Sequence, residues 1–252
     1  MLEPLDFSNI PNFDQIGDDY KNLAYDPENL YSVPYTWGTT GIIYNTKMVK
    51  EPVDSWSILF DEDYKGEILM IDNPRDAMGV ALQYLGYSIN TTDREELQAA
   101  YDLLRSQKPI LQAYVMDQIF DKLEGGEAAM GVYYAGDFLA MKENNPNLAF
   151  AIPKEGANFF VDAMCILKGS QHKAEAEAYI NFLCRTDVAK ANAEYIGYST
   201  PQTEARAQLD PEVGENPNFY PPDSVLEQAK VFETLPDDTN RLMDDLWLKL
   251  KK

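Results

Sequence analysis

Short apolar runs alternate along this chain with apolar residues at helical spacing, and this alternation narrows the fold more than any other feature. The run Thr39-Thr40-Gly41-Ile42-Ile43-Tyr44 is β-branched up to its closing tyrosine and broken only by Gly41. "GEILMID" (66–72), "AAMGVYY" (128–134), "NLAFAIP" (147–153) and "NFFVDAMCIL" (158–167) are further runs of strand length. Between and after them, one helical face is marked by Met78, Ala81, Leu82 and Leu85, and another by Leu97, Ala100, Tyr101 and Leu104. Ala176, Tyr179, Ile180 and Leu183 mark a third, and Met243, Leu246, Trp247 and Leu250 the last. Strands interleaved with helices mean an α/β fold. Thr92 with Glu95 reads as a capping box, Thr186 as an N-cap, and Gly86 and Gly197 as helix stops. Weaker patterns predict helices over 55–60, 115–124, 136–143 and 224–232.

Charge and residue usage exclude several classes of function. Acids outnumber bases 42 to 21, a net charge of -21, which opposes nucleic-acid binding because that needs a basic footprint. No apolar run is long enough to span a bilayer, and the opening residues form no signal segment. Cys165 and Cys184 lie in apolar stretches and read as buried free thiols, with one disulfide as the alternative. His172 is the sole histidine, so neither a zincin nor a Ser-His-Asp triad is available. No Gly-rich phosphate loop, nucleophile elbow or metal signature appears; no catalytic residue, metal or cofactor is expected. A hydrolase built on a pair of carboxylates stays as an alternative.

What remains is a pattern of acids beside aromatics at the ends of predicted strands. Asp72, Asn73, Arg75 and Asp76 follow one run; Tyr133 and Tyr134 close another; Phe159, Phe160 and Asp162 interleave in a third. Ligands of open α/β sheets bind outside the carboxyl ends of strands. Ring faces with carboxylates suit an organic ammonium ion, since a cation over a desolvated ring gains about 0.5–2 kcal/mol. The alternative is rim packing. Upstream, Tyr35, Trp37 and Gly38 stand just before the 39–45 run, either as a core edge or as a hinge beside a ligand.

Four segments carry a resemblance: "YSVPYTWGTTGIIYN", "YKGEILMIDNPRDAMGVALQYLGYSINTTD", "IPKEGANFFVDAM" and "YINFLCRTDVAKANAEYIGYSTPQ". They resemble the spermidine/putrescine-binding proteins of bacterial ABC transporters, in register from Met1 to near the C-terminus. The resemblance implies a two-lobed, hinged, periplasmic-binding-protein-like (type II) fold that closes on a polyamine in an interlobe cleft of aromatics and acids. It implies no enzyme, a membrane permease as partner, and a place in the periplasm or on the outer face of the cell membrane. By position, Asn73 and Asp76 match two family acids that bind ammonium groups, and Tyr134 and Phe160 match two tryptophans that sandwich the methylene chain. Asp162 matches an aspartate that pairs with an amine and is expected to be the strongest contact. Tyr198 matches a binding tyrosine, and Glu233 falls where the family has a glutamine. Tyr35, Trp37 and Gly38 would lie at the hinge. Lobe one would hold 1–37 and 161–203, and lobe two 38–160 and 204–252. The family's opening segment has no counterpart here, so lobe one is expected to be incomplete and the chain to be capable of self-association. Another organic cation or a metal in the same fold is the alternative ligand.

Overall fold

The computed structural model describes residues 1–252. Six strands form: β1 Ser32–Asn45, β2 Ile68–Ile71, β3 Leu111–Val115, β4 Met130–Tyr134, β5 Leu148–Ala151 and β6 Phe159–Cys165. The principal helices are α1 Pro74–Tyr84, α2 Arg94–Gln107, α3 Gln118–Glu124, α4 Ala135–Asn144, α5 Lys173–Leu183, α6 Thr186–Ile196 and a C-terminal helix, Asp237–Lys251. No helix is long and apolar enough to cross a membrane. The chain divides into two compact units, Met1–Gly38 with Phe160–Tyr220, and Thr39–Phe159 with Pro221–Lys252.

The second unit is built on a mixed sheet in the order β3-β2-β4-β1-β5. β2 is parallel to both β3 and β4, whereas β1 is antiparallel to β4 and β5. β2 is buried throughout, as expected of a central strand with neighbours on both edges. Gly41 in β1 faces Phe150 and Ala151 of β5; a Cβ there would come within 2.6 Å of the Ala151 carbonyl oxygen and collide with the Phe150 ring. The apparent interruption in the β-branched run is therefore a close approach of two strands.

In the first unit β6 pairs with β1. Its core gathers Leu5, Ile10, Ile16, Val33, Ile166, Ile180 and Cys184, with Phe7, Phe13, Tyr20 and Met164 packed against it. The buried Glu177 carboxylate of α5 fastens the N-terminal segment by accepting from Asp6 N at 2.8 Å and Asn9 Nδ2 at 2.7 Å.

Several sequence expectations need correction. The expected return crossing at 203/204 falls after Tyr220. Residues up to there stay with the first unit because Ser199 Oγ donates to the Phe219 carbonyl at 2.6 Å and Thr200 N donates to the Tyr220 hydroxyl at 3.0 Å. β3 occupies 111–115, where no element was expected, and its last residue takes the first position of the expected 115–124 helix, which begins only at Gln118. The N-cap of α2 is Asp93, one residue after Thr92; its carboxylate accepts from Glu95 N and Glu96 N, and a charged acceptor suits the positive helix end. Thr186 opens α6 as its first residue, with Arg185 as N-cap. The 224–232 helix shrinks to Asp223–Leu226, because Lys230 joins Asn158 in a parallel bridge. Cys165 is exposed while Cys184 is buried, and both are free. Neighbouring strand residues face opposite ways, so Met164, packed on the core, turns Cys165 outward.

Gly41→Ala forces β1 and β5 apart and is expected to destabilise the protein by about 1–3 kcal/mol, read as a lower urea midpoint with an unchanged slope. An unchanged midpoint would show that the two strands are not seated as closely as described.

Candidate functional site

In the second unit β2 delivers the chain to Asn73, whose side-chain oxygen accepts from Arg75 N at 2.9 Å and Asp76 N at 3.3 Å. Asn73 is thus the N-cap of α1, with Pro74 in the first turn, where its missing N–H costs nothing. The cap places Asp76 at the positive end of the helix. Asp76 is 6% exposed. Tyr134, the last residue of β4, donates its hydroxyl to Asp76 Oδ2 at 3.1 Å, and Asn158 donates Nδ2 to Oδ1 at 3.4 Å. Burial raises the Asp76 pKa, and the bonds from Tyr134 and Asn158 together with the Arg75 charge oppose that rise only in part. Burial, and then the Asp76 charge, push the Tyr134 phenol upward, so it stays protonated as a donor.

Asn158 holds a further feature. Its backbone N–H is taken by Thr40 Oγ1 at 3.1 Å, and its Nδ2 faces Asp76, yet its Oδ1 is buried without a partner. Turning the amide over would set an oxygen against a carboxylate oxygen, so the orientation follows from charge. A buried carboxylate beside an unpaired buried acceptor is a place for a donor-rich cation.

The Arg75 guanidinium has partners of its own outside this cluster. It lies 4.5 Å over the Phe232 ring, with Nη2 on Asn90 Oδ1 at 3.2 Å and both Nη atoms 3.4 Å from the Glu233 carbonyl. Glu233 therefore meets the cluster through its backbone, and its side chain is exposed.

The first unit carries a second cluster. Phe160 and Asp162 share one face of β6 by strand alternation. Thr36 Oγ1 donates to Asp162 Oδ2 at 3.0 Å, and Asp162 is otherwise exposed. Phe160 lies over Gly38, where a Cβ would meet its ring at 2.9 Å, so this glycine makes room for the ring. Tyr198 follows Gly197, which ends α6 in the left-handed conformation with φ 76°. Its ring meets Phe160 edge-on at 6.3 Å. Trp37 is buried: its backbone N–H donates to Ser199 O at 3.0 Å, its Nε1 to Thr200 O at 3.3 Å, and its ring meets Tyr220 edge-on at 5.6 Å. Tyr35 is half-buried.

The predicted residues thus assemble as Asn73, Asp76 and Tyr134 in one unit and Phe160, Asp162 and Tyr198 in the other. Sequence reading missed Asn158 and Asn90. A lone asparagine before a strand carries no periodic signal; only its position next to the Phe160/Asp162 run hinted at a role. No group of three or more His, Cys, Asp or Glu side chains is placed to hold a metal ion.

Two compact α/β units joined by three chain crossings, each with rings beside a carboxylate, describe a solute-binding architecture. Residues 1–221 match the model of the bacterial extracellular solute-binding proteins, and the chain belongs to that family. It is 34% identical over its whole length to the spermidine/putrescine-binding periplasmic protein of Salmonella typhimurium, of which it spans 72%. The putrescine-binding periplasmic protein of Escherichia coli is 30% identical over an alignment covering all of this chain and 73% of that protein. Among solved structures, the spermidine/putrescine ABC transporter substrate-binding protein of Streptococcus pneumoniae, in complex with calcium and HEPES, superposes with a TM-score of 0.91. That protein is 36% identical and aligned over 100% of this chain and 78% of its own.

The raised Asp76 pKa fixes the sign of a stability test. A carboxyl whose folded pKa lies above its unfolded value disfavours folding while ionised, and the penalty fades as pH falls through the folded pKa. Asp76→Asn is therefore expected to melt higher than the parent at neutral pH, with the gap narrowing on acidification. A gap that widens on acidification in thermal melts would mean that the ionised form is stabilised instead.

Proposed function

We propose that this chain captures a polyamine outside the cytoplasm as the solute-binding component of an ABC importer, without turning it over. The observation that carries the reading is the Asp76 cluster: a desolvated carboxylate hydrogen-bonded by Tyr134 and by Asn158, whose own side-chain oxygen is unpaired. A primary ammonium has three donors and one charge, and it finds there an anion and a neutral acceptor. The two hydrogen bonds and the Arg75 charge offset only part of the burial of this carboxylate, and a cationic ligand would supply the rest. The names of the relatives point to the same chemical class.

In this reading Asn73 orients the first turn of α1, and its amide in place of a family acid leaves the pocket with one negative charge. Tyr134 and Phe160 take the place of family tryptophans and offer weaker faces. In the first unit Asp162, Tyr198 and Phe160 offer an acid and rings of the same chemistry, and a membrane permease is the partner that receives the solute.

The two acids differ in what binding demands of them. Asp76 is already dehydrated in the ligand-free protein, so its attraction for an ammonium is not reduced by fresh desolvation. Exposed Asp162 loses water as the ligand arrives. Asp76, rather than Asp162, is thus the stronger anchor.

Calorimetric titration with putrescine, spermidine, spermine and calcium tests the assignment. Saturable binding of at least one amine, and not of calcium, is expected. Removing a buried charge partner costs roughly 2–5 kcal/mol. Asp76→Asn should therefore weaken binding by at least about thirtyfold, Asp162→Asn by less, and Phe160→Ala measurably, while Phe160→Trp holds or improves it. No saturation with any amine, or an Asp76→Asn protein that binds like the parent, would overturn the reading.

A further inference from the structure

Asp72, singled out in the sequence beside Asn73 and Asp76, takes no part in the pocket described above. It turns instead to the end of the C-terminal helix, where Lys251 Nζ lies 2.8 Å from its Oδ1. The same ammonium sits 4.6 Å from the centre of the Tyr114 ring and 5.5 Å from that of Trp247. Those two rings meet edge-on, with centres 5.2 Å apart and planes at 83°, so they form two walls of a corner. Trp247 is 9% exposed, and the Tyr114 hydroxyl oxygen is buried without a partner. A carboxylate and two ring faces around one ammonium are the components of an alkylammonium receptor.

The chain itself supplies the occupant, and only loosely. Lys251 is the last helical residue, and its side chain stays about one-third exposed. The final turn of a helix frays readily. The walls do not depend on this lysine: Met243, Leu246, Trp247 and Leu250 are buried, and Lys108 Nζ holds the Leu250 carbonyl at 2.7 Å. Tyr114 belongs to β3 and Asp72 directly follows β2, so both are fixed by the sheet.

We propose that Asp72, Tyr114 and Trp247 form a second binding box for a primary alkylammonium group, distinct from the Asp76 pocket, which the protein fills with its own Lys251. The tethered lysine acts as an internal competitor, so a free amine enters only when the last helical turn lets go. The box stands on its own contacts and does not require the Asp76 pocket to bind a polyamine.

The test uses n-butylammonium, which copies the lysine side chain, with n-butanol as the neutral counterpart. Binding is read from the indole N–H resonance of Trp247, with the signals of Trp37 and Trp56 as internal references. In the full chain carrying Lys251→Ala, butylammonium should shift the Trp247 signal saturably, at least about tenfold more tightly than in the parent. Butanol should not shift it, and Lys251→Ala combined with Asp72→Asn should lose most of the gain. Equal responses in parent and Lys251→Ala proteins, an equal response to butanol, or a gain that survives Asp72→Asn would each reduce the Lys251 contact to a surface ion pair. Because the signal is local to Trp247, either outcome leaves the amine titrations at the Asp76 pocket to be judged separately.

Discussion

A single carboxylate held out of water stands at the centre of the second unit's polar cluster, the group proposed to meet the ligand. Asp76 is 6% exposed in the first turn of α1, which the Asn73 cap sets, and Tyr134, Asn158 and the Arg75 charge favour its ionised form against the effect of burial. These groups compensate for only part of the lost hydration, which is why burial still dominates its pKa. A protein core has little use for a charge of that kind, whereas a receptor for ammonium ions does: the cost is met during folding, before the ligand arrives. The surrounding architecture serves this arrangement. β2 ends where α1 must begin, β4 ends where Tyr134 must point, and the Lys230 bridge fixes Asn158 at the entry to β6.

The first unit solves a different problem with similar parts. Its carboxylate, Asp162, is exposed and lightly held by Thr36, and its ring, Phe160, needs the missing side chain of Gly38 to lie against the backbone. Trp37, between those two positions in β1, is committed to packing and to hydrogen bonds with the 199–200 segment. Residues 35–38 therefore alternate between supporting the cluster and filling the core, as a strand with two used faces must.

Much of this was legible from the sequence because it rests on periodicity. The strands at 39–45, 66–72, 128–134, 147–153 and 158–167 and the four helical stripes follow apolar spacing; strand-end position drew attention to Asp76, Tyr134, Phe160 and Asp162, and the family resemblance gave them their expected roles. What escaped depends on contacts far apart in the chain. Asn158 reaches Asp76 across 82 positions, and nothing local marks it. β3 is an edge strand whose first four residues are half-buried, with Gln112 among them, too weakly apolar to stand out from the helix that follows. The helical pattern at 224–232 lost to a tertiary pairing through Lys230. The choice between Thr92 and Asp93 as cap was a matter of one residue and was settled by charge at a helix end.

The central claim is that Asp76 is a charge waiting for a cation, and its titration tests that most directly. Carbon-13 NMR of the Asp76 side-chain carboxyl, followed against pH with and without a saturating amine, reports its pKa in both states. The account predicts a value above the ordinary aspartate range in the free protein and a marked fall when spermidine or putrescine binds, because a bound ammonium favours the ionised form. An Asp76 pKa that stays the same in the presence of a bound amine would contradict it.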